Sequence, residues 1–435
     1  MRELGIGLLG LGEVGAGVVR ILRDREDELT RRLGVRLAFR RACVRDADKE
    51  RKVEVGAERL TTSNAAVIDA PDVDFVVELI GGLEPAYAWT LRALEAGKHV
   101  VTANKALLAE RGDEIFAAAR RHGVDVRYEG AVGGGIPIIR TLREALASDR
   151  ISRLAGIING TSNYVLTRME EDGVSFGEAL ADAQARGFAE ADPTLDVGGL
   201  DAAHKLALMV SLAFGTRDCL RSIHVEGIER VTPQDMRFAR ELGYRVKPLC
   251  LARDLGDAVE ARVHPTLVPA GSMLGSVSGV FNAVYLEGGM LGPVLLWGRG
   301  AGGGPTGVSV VADLVDLARD VASGARPRVA ARAMPEGALG QRRFLSIAEV
   351  ETPAYLRFTV VDRPGVLAGI TAALGSRGVS IAAILQRGEA PGGTVPVVLQ
   401  TYRARQGAVQ EAIADIEGMD FVRAPTVLLR IEPQV

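Results

Sequence analysis

A chain of 435 residues is too long for one compact core, and a span of roughly 100–200 residues per domain sets the expectation at three domains. Its 52 basic and 55 acidic residues are mixed along the whole length to a net charge of −3, so no broad basic field draws in nucleic acid and small molecules are the expected partners. Three dispersed cysteines (Cys43, Cys219, Cys250) argue against a disulfide framework, five histidines show no metal-ligand spacing, and no long apolar run occurs at the N-terminus or later, so a cytoplasmic chain without a membrane segment is expected.

From Leu4 to about Tyr128, the apolar runs LGIGLLG, VRLAFRRACV, VDFVVELIGG and HVVTAN alternate with the amphipathic stretches GAGVVRILRDREDELTRRL and AYAWTLRALEAG. Such alternation implies βαβ units and a parallel sheet. The glycine-rich passage EGAVGGGIP (Glu129–Pro137) closes this block. Beyond it the pattern changes to longer connections, with helices expected at Phe176–Arg186 and Leu200–Phe214 and strands at RLAGIING and PVLLWGRG, which reads as an α+β substrate and dimerisation domain. Residues 305–323 form a helical stretch expected to pack back on the first block, and a Pro/Arg/Gly-containing linker follows at 324–350. The tail reads strand, helix, strand, strand, helix, strand from Tyr355 to Ile431, a ferredoxin-like order. The expected division is 1–130, 131–304, 324–350 and 351–435, with the 305–323 helix completing the first part.

The run Gly7-Leu8-Leu9-Gly10-Leu11-Gly12-Glu13-Val14-Gly15 sits where a strand meets a helix, the context that the GxGxxG pattern of a Rossmann-type sheet requires. Gly10 permits the tight turn, Gly12 lets the backbone approach a pyrophosphate, and Gly15 lets helix and strand pack closely, with the helix N-terminus facing the phosphates. The second strand finishes at Val44-Arg45-Asp46. An arginine there suits a 2′-phosphate and an acidic residue an unphosphorylated ribose, so NADP is favoured with NAD also accepted. Thr102-Ala103-Asn104-Lys105 lies at the carboxyl edge of the sheet, where ligands of open α/β folds bind. Lys105 opposes the dipole of the helix it opens, so local stability does not account for it.

Between Glu190 and Lys205 four carboxylates and a lysine fall within 16 residues. Asp201 and Lys205 stand four apart, on one face of the helix that follows. From Leu206 that helix continues LALMVSLAFG, apolar on every side, which marks a buried helix. A lysine entering it is partly desolvated, which favours release of its proton.

The spacing A-x3-G-F-x-E-x-D-P-x2-D-V-x-G-x-D-x3-K over Ala183–Lys205, together with VELIGG (Val77–Gly82), TANK (Thr102–Lys105) and NGTSNY (Asn159–Tyr164), closely resembles the homoserine dehydrogenases over roughly residues 4–320. The resemblance implies reversible reduction of L-aspartate 4-semialdehyde to L-homoserine. By motif position Lys205 is the general acid, Lys105 the second active-site lysine, and Glu190 and Asp201 bind the substrate's amino group and orient Lys205. Gly160 and Thr161 of the NGT turn contact substrate. The cofactor contacts implied are Gly10, Leu11, Gly12, Val14, Gly15, Arg45, Gly81, Thr102 and Lys105, with Gly302 and Gly303 of the second glycine cluster. EGAVGGGIP is similar to the family's monovalent-cation turn, which implies Na+ or K+ held through Glu129, Val132, Gly134 and Ile136. Hydride transfer to an aldehyde builds negative charge on oxygen, and a positioned lysine supplies both a cation and a proton there without zinc.

The tail resembles an ACT domain, with Asp362-Arg363-Pro364-Gly365-Val366-Leu367 at its first strand–helix turn and Gln386 ending its second strand. This implies feedback regulation by an amino acid, threonine being expected, and a homodimer or homotetramer. No kinase region precedes the first strand, so the monofunctional form is expected. Two other readings share the scaffold: another amino-acid dehydrogenase, such as one acting on aspartate, and a sensor of nucleotide and amino acid without catalysis.

Overall fold

The computed structural model describes residues 1–217, 219–325, 328–388, 390 and 393–434. Positions 326 and 327 of the expected linker and 389, 391, 392 and 435 of the tail lie outside the described residues. The chain divides into two compact units, one built from Met1–Ser152, His204–Arg221 and Asn282–Arg342, the other from Arg153–Ala203, Ser222–Phe281 and Arg343–Val435.

The first unit carries a six-stranded sheet. Its strands are β1 (Glu3–Leu9), β2 (Arg36–Cys43), β3 (Leu60–Thr61), β4 (Phe75–Glu78), β5 (His99–Thr102) and β6 (Val126–Arg127), in the order β3-β2-β1-β4-β5-β6. All pairs are parallel. Both faces are covered, so β1 and β4 are apolar runs with no alternation: after Glu3 every residue of β1 is buried, as is all of β4. The helices of this block are α1 (Glu13–Asp24), α2 (Glu26–Leu33), α3 (Asn64–Ile68), α4 (Ala86–Glu95) and α5 (Lys105–His122). The stretch after the glycine loop, expected as one helix, is two, broken at Arg25 (φ −117°, ψ 16°). Arg23 ends one dipole and Glu26, Asp27 and Glu28 start the next, so the charges favour a fresh helix start there.

A long helix, Gly303–Ser323, packs against the same sheet: its Val310, Val311, Leu314, Leu317 and Ala318 share one buried cluster with Leu4, Ile6, Leu8, Val18 and Leu22. It meets α1 through bare backbone. A Cβ added to Gly17 would stand 2.0 Å from the carbonyl oxygen of Gly303, and one added to Gly307 would stand 3.1 Å from the Gly17 carbonyl carbon.

In the second unit seven strands follow one another in the order Ile151–Ile157, Tyr244–Asp254, Ala258–Pro269, Val422–Ile431, Ala354–Val361, Thr394–Thr401 and Ile381–Gln386. The last four, with the helices Val366–Ser376 and Gln406–Glu417, make the ferredoxin-like tail. Its closing strand pairs parallel with the preceding hairpin at Thr266↔Arg430 and Leu267↔Ile431. The hairpin itself is the main element that sequence periodicity did not anticipate. Its second strand is buried from Ala258 to Val268 although it carries Glu260, Arg262 and His264. These polar groups are inside because they are paired: Arg262 Nε donates to Glu260 at 2.7 Å, and Arg153 and Arg253 both reach Glu432, at 2.9 and 2.5 Å. The tail's first strand is anchored similarly, Arg357 and Tyr355 donating to the fully buried Asp235 at 2.6 and 3.0 Å.

Lys247, on the first strand of the hairpin, is 1% exposed, and its ammonium donates to the Val277 carbonyl at 2.7 Å. Burial pulls its pKa down to about 8, against the attraction of Glu170. The folded chain therefore holds this proton less tightly than the unfolded chain, whose lysine titrates near 10.4. Below pH 8 both states are protonated and the cost of the buried charge is fully present; between about pH 8 and 10.4 only the unfolded state keeps the proton, so this group's contribution to stability rises with pH. Lys247→Met should abolish that rise, worth about 3 kcal/mol at most. Urea denaturation at pH 7–10 measures it, and an unchanged pH slope in the variant would refute the assignment.

Candidate active site

In the first unit the strand order reverses between β1 and β4, and at such a switch point the carboxyl ends of the strands leave a crevice for ligands. The loop after β1 lies there. Gly10 has φ +105°, a left-handed conformation that glycine adopts without strain, and a Cβ on it would meet the Leu79 carbonyl oxygen at 2.7 Å. A Cβ on Gly15 would lie 2.6 Å from the Gly10 carbonyl oxygen, so glycine there lets α1 close onto the strand. Gly12 is different. It is exposed, its φ of −83° suits any residue, and nothing lies within 4 Å of a Cβ placed on it. Nothing in the chain itself requires glycine at 12, and the space over it is open to a ligand.

Gly12 is also the N-cap of α1 and offers no side chain to the first-turn N–H groups. The same is true of Gly302 (φ 116°), N-cap of the Gly303–Ser323 helix. A Cβ on Gly303 would lie 2.5 Å from the Glu13 carbonyl oxygen, so the two helix starts, each with uncapped donors and a positive dipole end, are adjacent. The set fits a pyrophosphate. Leu11 is buried and Val14 half-buried beneath the turn.

Beside this loop β4 and β5 end in a closed ring of hydrogen bonds. Glu78, fully buried, accepts from the N–H groups of Ile80 (2.7 Å) and Gly81 (3.2 Å) and from the Thr102 hydroxyl (2.6 Å). Thr102 Oγ1 in turn accepts from Asn104 N at 2.9 Å, and Asn104 Nδ2 donates to the Gly82 carbonyl at 2.7 Å. Asn104 Oδ1 caps α5 by accepting from Leu107 N at 3.1 Å, which sets half-buried Lys105 as the first helical residue. At the end of β2, Arg45 and Asp46 are exposed, and the Asp46 carboxylate accepts from Asp48 N at 2.9 Å, closing its own turn.

The glycine-rich turn after β6 is held from below. The Glu129 carboxylate accepts from Ile139 N and Arg140 N at 2.9 and 2.8 Å, and its pKa is pushed up by burial. Asp313 accepts from Glu129 N at 2.7 Å and is pushed up to about 7 by burial and then by the Glu129 charge. Ser309 donates to the Gly134 carbonyl at 2.6 Å, and the Ile136 carbonyl accepts from Ile138 N at 2.8 Å. Val132 is fully buried. Among the described residues no group of three or more His, Cys, Asp or Glu side chains could hold a metal, so main-chain oxygens are the available ligands.

In the second unit NGTSNY, expected as a turn, opens the helix Gly160–Asp172. Asn159 is its N-cap and does two things. Its Oδ1 accepts from Ser162 N at 2.8 Å, and its Nδ2 donates to Asp196 Oδ1 at 2.7 Å and Asp201 Oδ2 at 2.9 Å. One amide thus draws two carboxylates to a point, a grouping suited to an ammonium ion. Thr161 donates to the Phe188 carbonyl at 2.6 Å, and Gly160 is the half-buried first residue of the helix. Glu190 is exposed, its own carbonyl accepting from Gln184 Nε2 at 3.1 Å. On the helix Leu200–Phe214, whose residues from 201 to 214 include none that is exposed, Asp201 is buried and belongs to this unit, while Lys205 is half-buried and belongs to the first. Sequence reading passed over Asn159, Asp196 and Glu78 as individual residues, although each lies inside a motif it quoted.

Comparison with known proteins reads this arrangement as a family. Residues 10–129 match the NAD-binding domain of homoserine dehydrogenase, 137–315 homoserine dehydrogenase, and 354–418 the ACT domain. A homoserine dehydrogenase of Pseudomonas aeruginosa is 44% identical over 433 residues, 99% of each chain. The chain belongs to the homoserine dehydrogenase family. The family's enzyme from Bacillus subtilis is 39% identical, again over 99% of each chain. The crystal structure of a homoserine dehydrogenase from Thiobacillus denitrificans superposes with a TM-score of 0.95 at 45% identity, covering 100% of this chain and 99% of that one. Membership makes the chain an NAD(P)-dependent oxidoreductase whose NAD-binding domain includes the glycine loop, and the tail is an ACT domain.

Because the space over Gly12 is open, Gly12→Val should change folding stability by less than about 1 kcal/mol. It should weaken NADPH binding more than tenfold. Thermal unfolding and a fluorescence titration measure the two effects, and intact NADPH affinity in a folded variant would remove Gly12 from the phosphate site.

Proposed function

We propose that the chain reversibly reduces L-aspartate 4-semialdehyde to L-homoserine in the route to threonine, isoleucine and methionine. The observation that carries the residue roles is the carboxylate pair on Asn159, with Lys205 one turn beyond Asp201. The bound nicotinamide supplies the hydride. Lys205 donates its proton to the aldehyde oxygen as negative charge builds there, and recovers it in the reverse direction. Lys105 is a second cation beside the reacting groups. Asp201 and Glu190 bind the substrate's amino group, Asp201 also orienting Lys205, and the Asn159 clamp adds Asp196 to this set. Gly160 and Thr161 contact substrate through the start of their helix.

The phosphates of the cofactor rest on the two adjacent helix starts at Gly12–Gly15 and Gly302–Gly303. NADP is preferred and NAD accepted: Arg45 is exposed to meet a 2′-phosphate, while Asp46 is occupied in its own turn. A Na+ or K+ ion takes the main-chain oxygens of Glu129, Val132, Gly134 and Ile136, since the Glu129 carboxylate is already bonded to two N–H groups. The domains are assigned as 1–130, 131–304 and 351–435, with 324–350 as linker. The ACT domain binds L-threonine as a feedback inhibitor of a cytoplasmic homodimer or homotetramer; among the described residues no helix is long and apolar enough to cross a membrane.

The test is NADPH oxidation with L-aspartate 4-semialdehyde. Lys205→Met should lower kcat at least about 100-fold with little change in KM. Undiminished turnover would exclude Lys205 as the acid. In the same assay L-threonine should inhibit the full chain, and Arg45→Ala should raise the KM for NADPH without raising that for NADH.

A further inference from the structure

Glu78 raises a question that its hydrogen bonds do not answer. It is 0% exposed, and every contact recorded for it is one in which a carboxylate oxygen accepts: from Ile80 N, Gly81 N and Thr102 Oγ1. All three donors are neutral. Among the described residues no lysine, arginine or histidine forms an ion pair with it, although other buried carboxylates of this chain do have one, as Glu260 has Arg262 and Asp235 has Arg357. A buried charge without a counter-charge is costly. A glutamine of the same shape would keep the two N–H bonds of the turn on its one amide oxygen without that cost and give up only the bond from the Thr102 hydroxyl, so most of the scaffold does not depend on the charge.

The position of Glu78 supplies a counter-charge. It ends β4, next to the switch point. The pyrophosphate loop follows β1 and the ribose-reading end follows β2, which leaves the β4–β6 half of the sheet edge to the nicotinamide nucleotide. When the ring gives up hydride it changes from neutral to a unit positive charge. We infer that the Glu78 carboxylate is a positioning and tuning residue for the nicotinamide: its buried charge stabilises the oxidised ring over the reduced one, while its hydrogen-bond ring fixes the Ile80–Gly82 turn and the start of α5. The charge favours hydride donation to the aldehyde, and it acts through the cofactor without touching the substrate.

The test is equilibrium binding of NADP+ and of NADPH, each titrated by intrinsic fluorescence or calorimetry, to wild type, Glu78→Gln and Thr102→Val. Glu78→Gln keeps the shape and removes the charge. It should raise the Kd of NADP+ at least about tenfold while that of NADPH changes less than about threefold. Thr102→Val keeps the charge and deletes one bond of the ring, and should weaken both forms by the same factor. Equal losses for both forms in Glu78→Gln, or no loss in either, would overturn the inference. So would a selective loss of NADP+ in Thr102→Val, a result that stands even if Glu78→Gln does not fold. The ratio of the two constants is what is read, so the outcome does not depend on whether NADP or NAD binds more tightly.

Discussion

The close approach of two helices through bare glycine backbone is the constraint on which the cofactor half of this protein rests. Only without a side chain at Gly17 can α1 come within reach of Gly303, since a Cβ would stand 2.0 Å from that carbonyl oxygen. The approach brings two uncapped helix starts together at the carboxyl edge of a parallel sheet, where its strand order reverses. Either start alone would be an ordinary weak anion site; side by side they double the number of donors and dipole ends facing one place. The chain's membership of a family of nicotinamide-dependent dehydrogenases makes the cofactor pyrophosphate the ligand proposed for that place.

The carboxylate cluster of the second unit, proposed above to bind substrate, is organised by a different rule. There the organising group is an amide, Asn159, which caps one helix through its oxygen and gathers Asp196 and Asp201 through its nitrogen. Two carboxylates so close repel each other unless a donor or a cation stands between them. The amide supplies the donor in the folded chain, and the proposed substrate ammonium would supply the cation. In the sheet, too, arginines and glutamates of the long hairpin are buried because they are paired.

Much of this was legible in the sequence where one residue type answers one physical demand. The apolar runs Leu4–Leu9 of β1 and Phe75–Val77 of β4 are uninterrupted because both faces are covered, so they read directly as parallel strands. The Leu200–Phe214 helix and the ferredoxin-like tail likewise follow from periodicity. What periodicity could not reach were elements whose polar residues face inward. Glu260, Arg262 and His264 disguise the hairpin, because their pairing is visible only in three dimensions. The break at Arg25 was legible from the acidic run after it but was outweighed by the continuous amphipathic pattern. Glu78 and Asn159 stood inside quoted motifs, yet their significance lies in partners far along the chain, Thr102 for one and Asp196 with Asp201 for the other. Gly303 needs Gly17 in the same way, and no local pattern pairs them.

A crystal structure of the chain with NADPH locates the pyrophosphate directly. Phosphate oxygens within hydrogen-bond distance of main-chain N–H groups of both the Gly12–Val14 turn and the start of the Gly303–Ser323 helix are the predicted result. Phosphates held by side chains elsewhere on the sheet edge, with either helix start facing only solvent, would contradict it.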